Sequence, residues 1–224
     1  MSEKQLQNLT KHFYISSKKY CTEKVTCSGL YDWEQFIFDK YIPAGASDVV
    51  VLAAGGGREL YALTQMGYKC YGYELNRQFV SFAKDFFAKE NMNVGIDHFP
   101  PDKIPEHPCD VFVFGWGVYS HFMGENLRIQ LLEEAKNNLR ENGKIVIAFW
   151  ANNNEWKSNK IKRMEKFKRL FRGKFERGAT VDRGCWGKFY TKNEIENEAQ
   201  KAGLKIDYIS SRQYGHAVLS VKKE

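Results

Sequence analysis

Apolar positions in residues 1–45 recur at helical spacing. Leu6, Leu9 and Phe13 form one stripe, and Tyr31, Trp33, Phe36, Ile37 and Tyr41 a second, which predicts a helical lead-in. Pro43 and Gly45 then interrupt the chain. From Asp48 the period changes. DVVVL is an apolar run of strand length that empties into Gly55, Gly56 and Gly57, after which Leu60, Leu63 and Met66 resume helical spacing up to Gly67. The alternation then repeats. A strand is expected over Lys69–Leu75 and a helix over Phe79, Val80, Phe82, Ala83 and Phe86. A short strand follows at Val94–Ile96 and a buried one at Asp110–Gly115. Leu127, Leu131, Leu132, Ala135 and Leu139 mark a further helix, which Asn142-Gly143 is expected to stop before a strand over Lys144–Trp150.

The last stretch breaks the alternation. Thr191 and Glu194 have capping-box spacing ahead of a helix lined by Ile195, Ala199 and Ala202. Beyond Gly203, Leu204–Ser210 and Ala217–Val221 are strand-like with no helix between them, which predicts an antiparallel edge hairpin. The expected fold is therefore α/β: a doubly wound, mainly parallel seven-stranded sheet with an antiparallel C-terminal hairpin, in three α/β/α layers. Residues 1–224 read as one domain, with a helical cap at 1–45 and a core at 46–150. A basic insertion or lid follows at 151–188, and a terminal helix and strands at 189–224.

Charge changes this picture in one place. The chain carries a formal +7, and Trp156–Arg177 holds ten Lys/Arg against two Glu, so the remainder is close to neutral. Five cysteines without a CxxC pair, and five histidines without HxxxH or HExxH spacing, predict neither a disulfide framework nor a metal site. The N-terminus is polar, and no apolar run is long enough to span a bilayer, which predicts a cytoplasmic protein.

In a sheet of this kind a ligand sits beyond the carboxyl ends of the strands, where strand order reverses. The three glycines let the backbone approach that ligand closely, and N–H groups at the next helix start favour a diphosphate or a carboxylate. Glu74, ending the second strand, is placed to accept from a ribose diol. NAD and S-adenosylmethionine (SAM) both use this geometry. The order and intervals of VLAAGGGRE, YGYEL, GID, CDVFVFGWGVYSHF and LRENGKIVIAFW resemble the class I SAM-dependent methyltransferase family, well over residues 46–150 and loosely over 189–224.

That resemblance implies SAM as cofactor and S-adenosylhomocysteine (SAH) as product. It implies that Ala54, Gly55 and Gly57 line the methionine part and that Glu74 binds the ribose. Leu75 packs on the adenine, Asp97 accepts from its amino group with His98 beside it, and Gly115 and Trp116 flank the sulfonium. Two positions depart from the family pattern. An acidic residue often precedes the first glycine by two positions, where this chain has Ala53, and the third motif glycine is here Glu59. Glu59 is a candidate for the missing carboxylate, and the helix dipole also favours a glutamate there.

Methyl transfer from a sulfonium is an in-line displacement, and a hydroxyl acceptor must also lose a proton. His121 and Tyr119, just past the fourth core strand, are the candidate catalytic groups. No Asn-Pro-Pro-Tyr or Asp-Pro-Pro-Tyr tetrapeptide is present, which directs the reading to a hydroxyl, carboxylate or amine on a small molecule or glycan. In the basic segment Ile161, Met164, Phe167 and Phe171 fall on one helical stripe among lysines and arginines. That pattern fits a solvated lid. It equally fits recognition of an anionic acceptor such as a phosphorylated sugar, a nucleotide-linked sugar or RNA. An RNA methyltransferase, or a non-catalytic SAM-binding adaptor suggested by Ala53 and Glu59, are the alternatives.

Overall fold

A computed structural model describes residues 3–16, 20–100, 102–152, 176–182, 185–212 and 214–222. The stripe Ile161–Met164–Phe167–Phe171 falls outside the described residues. Three helices come first: α1 (Glu3–Ser16), α2 (Glu23–Thr26) and α3 (Asp32–Tyr41). Then β1 (Asp48–Leu52), α4 (Arg58–Gln65), β2 (Lys69–Glu74), α5 (Arg77–Lys89), β3 (Gly95–His98) and β4 (Cys109–Phe114) alternate. A 3₁₀ turn at Val118–His121 leads into α6 (Glu125–Asn137) and β5 (Leu139–Ala151). The chain returns through β6 (Ala179–Asp182), β7 (Cys185–Tyr190), α7 (Lys192–Lys201), β8 (Leu204–Ser210) and β9 (Gly215–Val221).

β1 pairs in parallel with β2 and β4, β2 with β3, and β4 with β5. β9 runs antiparallel between β5 and β8, so the main sheet reads β3-β2-β1-β4-β5-β9-β8. The antiparallel hairpin β6–β7 joins it at the far end of β5, through Trp150↔Phe189 and Ala151↔Tyr190. The seven strands of the main sheet are those expected, and among the described residues β6 and β7 extend the sheet to nine. Every residue of β7 is buried, so no alternation of polar and apolar positions announced it in the sequence.

Both faces of the sheet are covered. Ile37 of α3, Leu60 of α4 and Ala83 of α5 pack on Val49, Val51 and Val111. On the other face Leu131 of α6 and Ala199 of α7 meet Val50, Phe112 and Ile145. The anticipated Thr191–Glu194 capping box starts α7. β5 begins at Leu139, five residues before the expected start, because α6 ends at Asn137. Asn138 caps that end by giving its carbonyl to the Cys109 N–H and its side chain to Pro105 and His107. Asn142, at φ 61°, is a kink inside the strand and not the helix stop.

α1 buries a narrower face than its apolar stripe suggested. Leu6 is fully buried, whereas Leu9 and Phe13 are exposed. The helix lies on β7, where Thr10 accepts a hydrogen bond from the Trp186 N–H at 2.9 Å. No helix among the described residues is long and apolar enough to cross a membrane.

Candidate functional site

Strand order reverses between β1 and β4, so a crevice opens beyond their carboxyl ends. Its floor is the turn Ala53–Gly57. Gly57 has φ 90°, and a Cβ there would meet the Phe87 ring at 2.7 Å, so only glycine lets α4 start this close to α5. Opposite it, a Cβ on Gly115 would meet the carbonyl oxygens of Leu52 and Ala53 at 2.8 and 2.5 Å. The two loops are in backbone contact, with the Gly115 N–H donating to Leu52 O at 2.7 Å.

Glu74 closes one side. Its carboxylate accepts from the Gly55 N–H and the Asn76 N–H, each at 2.8 Å, and so ties the end of β2 to the glycine turn. Burial pushes its carboxyl pKa up against the pull of these N–H groups, and the charge of Glu59 adds to the rise. Asn76 caps α5 and donates from its side chain to Tyr14 O and Ile15 O, which fastens the end of α1 over this corner. Thr26 in turn donates to Gly56 O at 2.9 Å, and the Tyr20 carbonyl lies against Gly56. The helical cap thus roofs the glycine turn.

Across the crevice Glu59 belongs to a charged group whose other members, Arg58 and Glu34, the sequence reading missed. Arg58 bonds both oxygens of Glu34 at 2.6 and 2.7 Å and also Glu59 at 2.8 Å, all three side chains being buried. Burial raises the Glu34 carboxyl, Arg58 opposes the rise, and Glu59 adds to it. One guanidinium faces two carboxylates here, and Glu74 adds a third nearby. Unbalanced buried negative charge is costly. Glu59 also reaches toward the Trp116 N–H, at 3.4 Å, so it stands where the β1 and β4 loops meet. Two sequence signals were available: an arginine directly after three glycines, and a glutamate on the apolar stripe of α3.

The other expected site residues divide. Ala54, Gly55, Gly57, Glu59, Glu74, Gly115 and Trp116 converge on the crevice, and Leu75 follows at the end of β2. Asp97 does not join them. It pairs with Tyr73, whereas His98 pairs with Glu74. Paired residues share a face of the sheet and successive residues alternate. His98 therefore lies on the face of Glu74, and Asp97 on the opposite one. Its carboxylate is taken up by the Tyr71 hydroxyl and by Lys84, and these two partners hold its pKa below the usual range.

Tyr119 is likewise a core residue and not a catalytic group. It is fully buried and donates to Glu198 at 2.6 Å. Burial, with the Glu198 charge behind it, drives its pKa far up. His121 is the last residue of the 3₁₀ turn. Its Nδ1 lies 2.7 Å from Trp186 O and must donate to it, which in the neutral ring puts the lone pair on Nε2. Tyr14 and Trp150 pack edge-on against the imidazole.

A methyltransferase-domain family model matches residues 50–147, the span from β1 into β5. Over that span the chain is similar to the methyltransferase-domain family. No curated protein matches the chain. Among solved structures, it is similar to a SAM-dependent methyltransferase from Methanosarcina mazei, with TM-score 0.71 and 15% identity over 88% of this chain and 100% of that one. A SAM-dependent methyltransferase from Clostridium acetobutylicum gives 0.65 and 12% over 96% and 99%. The glycopeptide N-methyltransferase MtfA, in complex with SAM, gives 0.61 and 12% over 85% and 87%.

Proposed function

We propose that the chain transfers a methyl group from SAM to a hydroxyl or amine of a small-molecule acceptor, releasing SAH. The carrying observation is the surplus of buried carboxylate at the glycine turn. A diphosphate would be repelled by Glu59 and Glu74, whereas the ammonium and sulfonium of SAM supply the missing positive charge. Glu59 takes the ammonium in this reading, in place of the acid that many relatives carry where this chain has Ala53. Glu74 takes the ribose hydroxyls, and Gly55, Gly57, Gly115 and Trp116 line the methionine. MtfA holding SAM in the same fold supports the choice of donor. His121, oriented by the Trp186 carbonyl, is the proposed proton acceptor.

Calorimetry is the test. SAM and SAH are expected to bind in the low-micromolar range, roughly −8 kcal/mol, and NAD not to compete. Binding of NAD in preference to SAM would overturn the reading. Glu74→Ala should weaken SAM by about 1.5–3 kcal/mol, the usual value of hydrogen bonds to a charged group. Because burial raises the Glu74 pKa, the loss of affinity on acidification should begin at higher pH than a surface glutamate would give. Below that pKa the group is protonated and no longer accepts from two hydroxyls. The Ala variant should show a flat profile over the same range.

A further inference from the structure

The rim of the crevice is built from aromatic rings. Trp116 and Tyr31 are 39% and 40% exposed, an unusual state for side chains of this size beside a cleft. Their ring centroids are 5.6 Å apart, with the planes tilted by 54°. Tyr20 stands edge-on to Trp116 at 6.3 Å, and Tyr214 is tilted against it at 5.4 Å. Tyr214 is hydrogen-bonded to Trp150, whose ring is the one packed against His121. Aromatic side chains, joined at one step by the Tyr214–Trp150 hydrogen bond, therefore link Trp116 to the proposed proton acceptor.

The charges at this rim point the same way. Arg58 lies 4.2 Å over the Tyr31 ring, but Glu34 and Glu59 already hold its guanidinium. It is not offered to an anionic acceptor. What the rim presents is polarisable ring face and edge, which reward a flat, electron-rich partner through offset or edge-on packing. A phosphate gains little from such walls.

We propose that the acceptor is a planar aromatic compound bearing a hydroxyl, seated against Trp116 and Tyr31 with that hydroxyl turned toward His121. This rests on the methyltransferase reading and deepens it. In the step, the sulfur–methyl bond of SAM breaks as the oxygen–methyl bond forms. The hydroxyl proton passes to His121 and then to water, leaving an aryl methyl ether and SAH.

The experiment takes the full chain, first titrated with SAH alone. A series of phenols with one to three fused rings is then compared with their fully saturated alcohols and with glucose 6-phosphate, for binding to the SAH complex and for SAH formation from SAM. The phenols should bind and turn over, and the other two classes should not. Tyr31→Ala should raise the phenol KM about three- to tenfold with SAH affinity within twofold of the parent, and Tyr31→Phe should restore it. If SAH binds but no phenol does, if the saturated alcohols serve equally, or if Tyr31→Ala leaves KM unmoved, the aromatic assignment is overturned while the donor reading stands. Failure of SAH to bind would instead remove the reading beneath it.

Discussion

Replacing Arg128 with alanine is expected to cost about 3–5 kcal/mol of folding stability, the usual result of leaving a buried carboxylate without its partner. The guanidinium is completely buried. It bonds Glu198 through Nε and Nη2, the shortest contact being 2.7 Å, and Glu176 through both terminal nitrogens, the shortest being 2.6 Å. It also donates to Phe122 O at 3.0 Å. α6, α7 and the approach to β6 are therefore joined through one side chain. Urea unfolding would measure the loss, and a change below 1 kcal/mol would refute it. Adding Glu198→Gln to Arg128→Met keeps an acceptor for Tyr119 and should recover part of the stability. Burial pushes the Glu176 carboxyl up, but Arg128 and Lys188 outweigh it and hold the pKa below the ordinary value. That contribution is complete above the unfolded pKa of about 4.3 and is lost as pH falls through the folded one. The gap between parent and Arg128→Ala should accordingly narrow in acid.

His121→Ala is expected to lower turnover by about 10²–10⁴-fold, the range of a lost general base, with SAM affinity little changed. The Nδ1 bond to Trp186 O fixes which nitrogen offers its lone pair, so an imidazole that merely packed would leave chemistry intact. Single-turnover rates with saturating SAM separate the two roles. Undiminished rates in a folded variant would show that the acceptor needs no protein base.

Much of this architecture was readable from the residues because the hydrophobic period changes cleanly. Val49–Leu52 and Val111–Phe114 are buried on both faces and stand between helices whose apolar stripes recur at helical spacing. What was missed shares one cause: spacing does not report partners distant in sequence. Arg58 and Glu34 meet across the crevice, 24 positions apart. Gly-x-Asp puts an acid on the face of Glu74 only if the register allows it, and β3 pairs His98, not Asp97, with Glu74. Tyr119 follows the right strand, but its hydroxyl is claimed by a glutamate 79 positions later.

The order of the sheet also bears on how the chain is made. β9 is hydrogen-bonded on both sides, to β5 and to β8, and Lys144 is aligned with Ser220. The first five strands of the main sheet can associate as they emerge, but the open side of β5 stays unpaired there until the strand ending at Val221 has been synthesised. At about 5–20 residues per second that wait lasts on the order of several seconds. During it the nascent sheet presents an apolar edge, bearing Ile145 and Ile147, to whatever surrounds the ribosome.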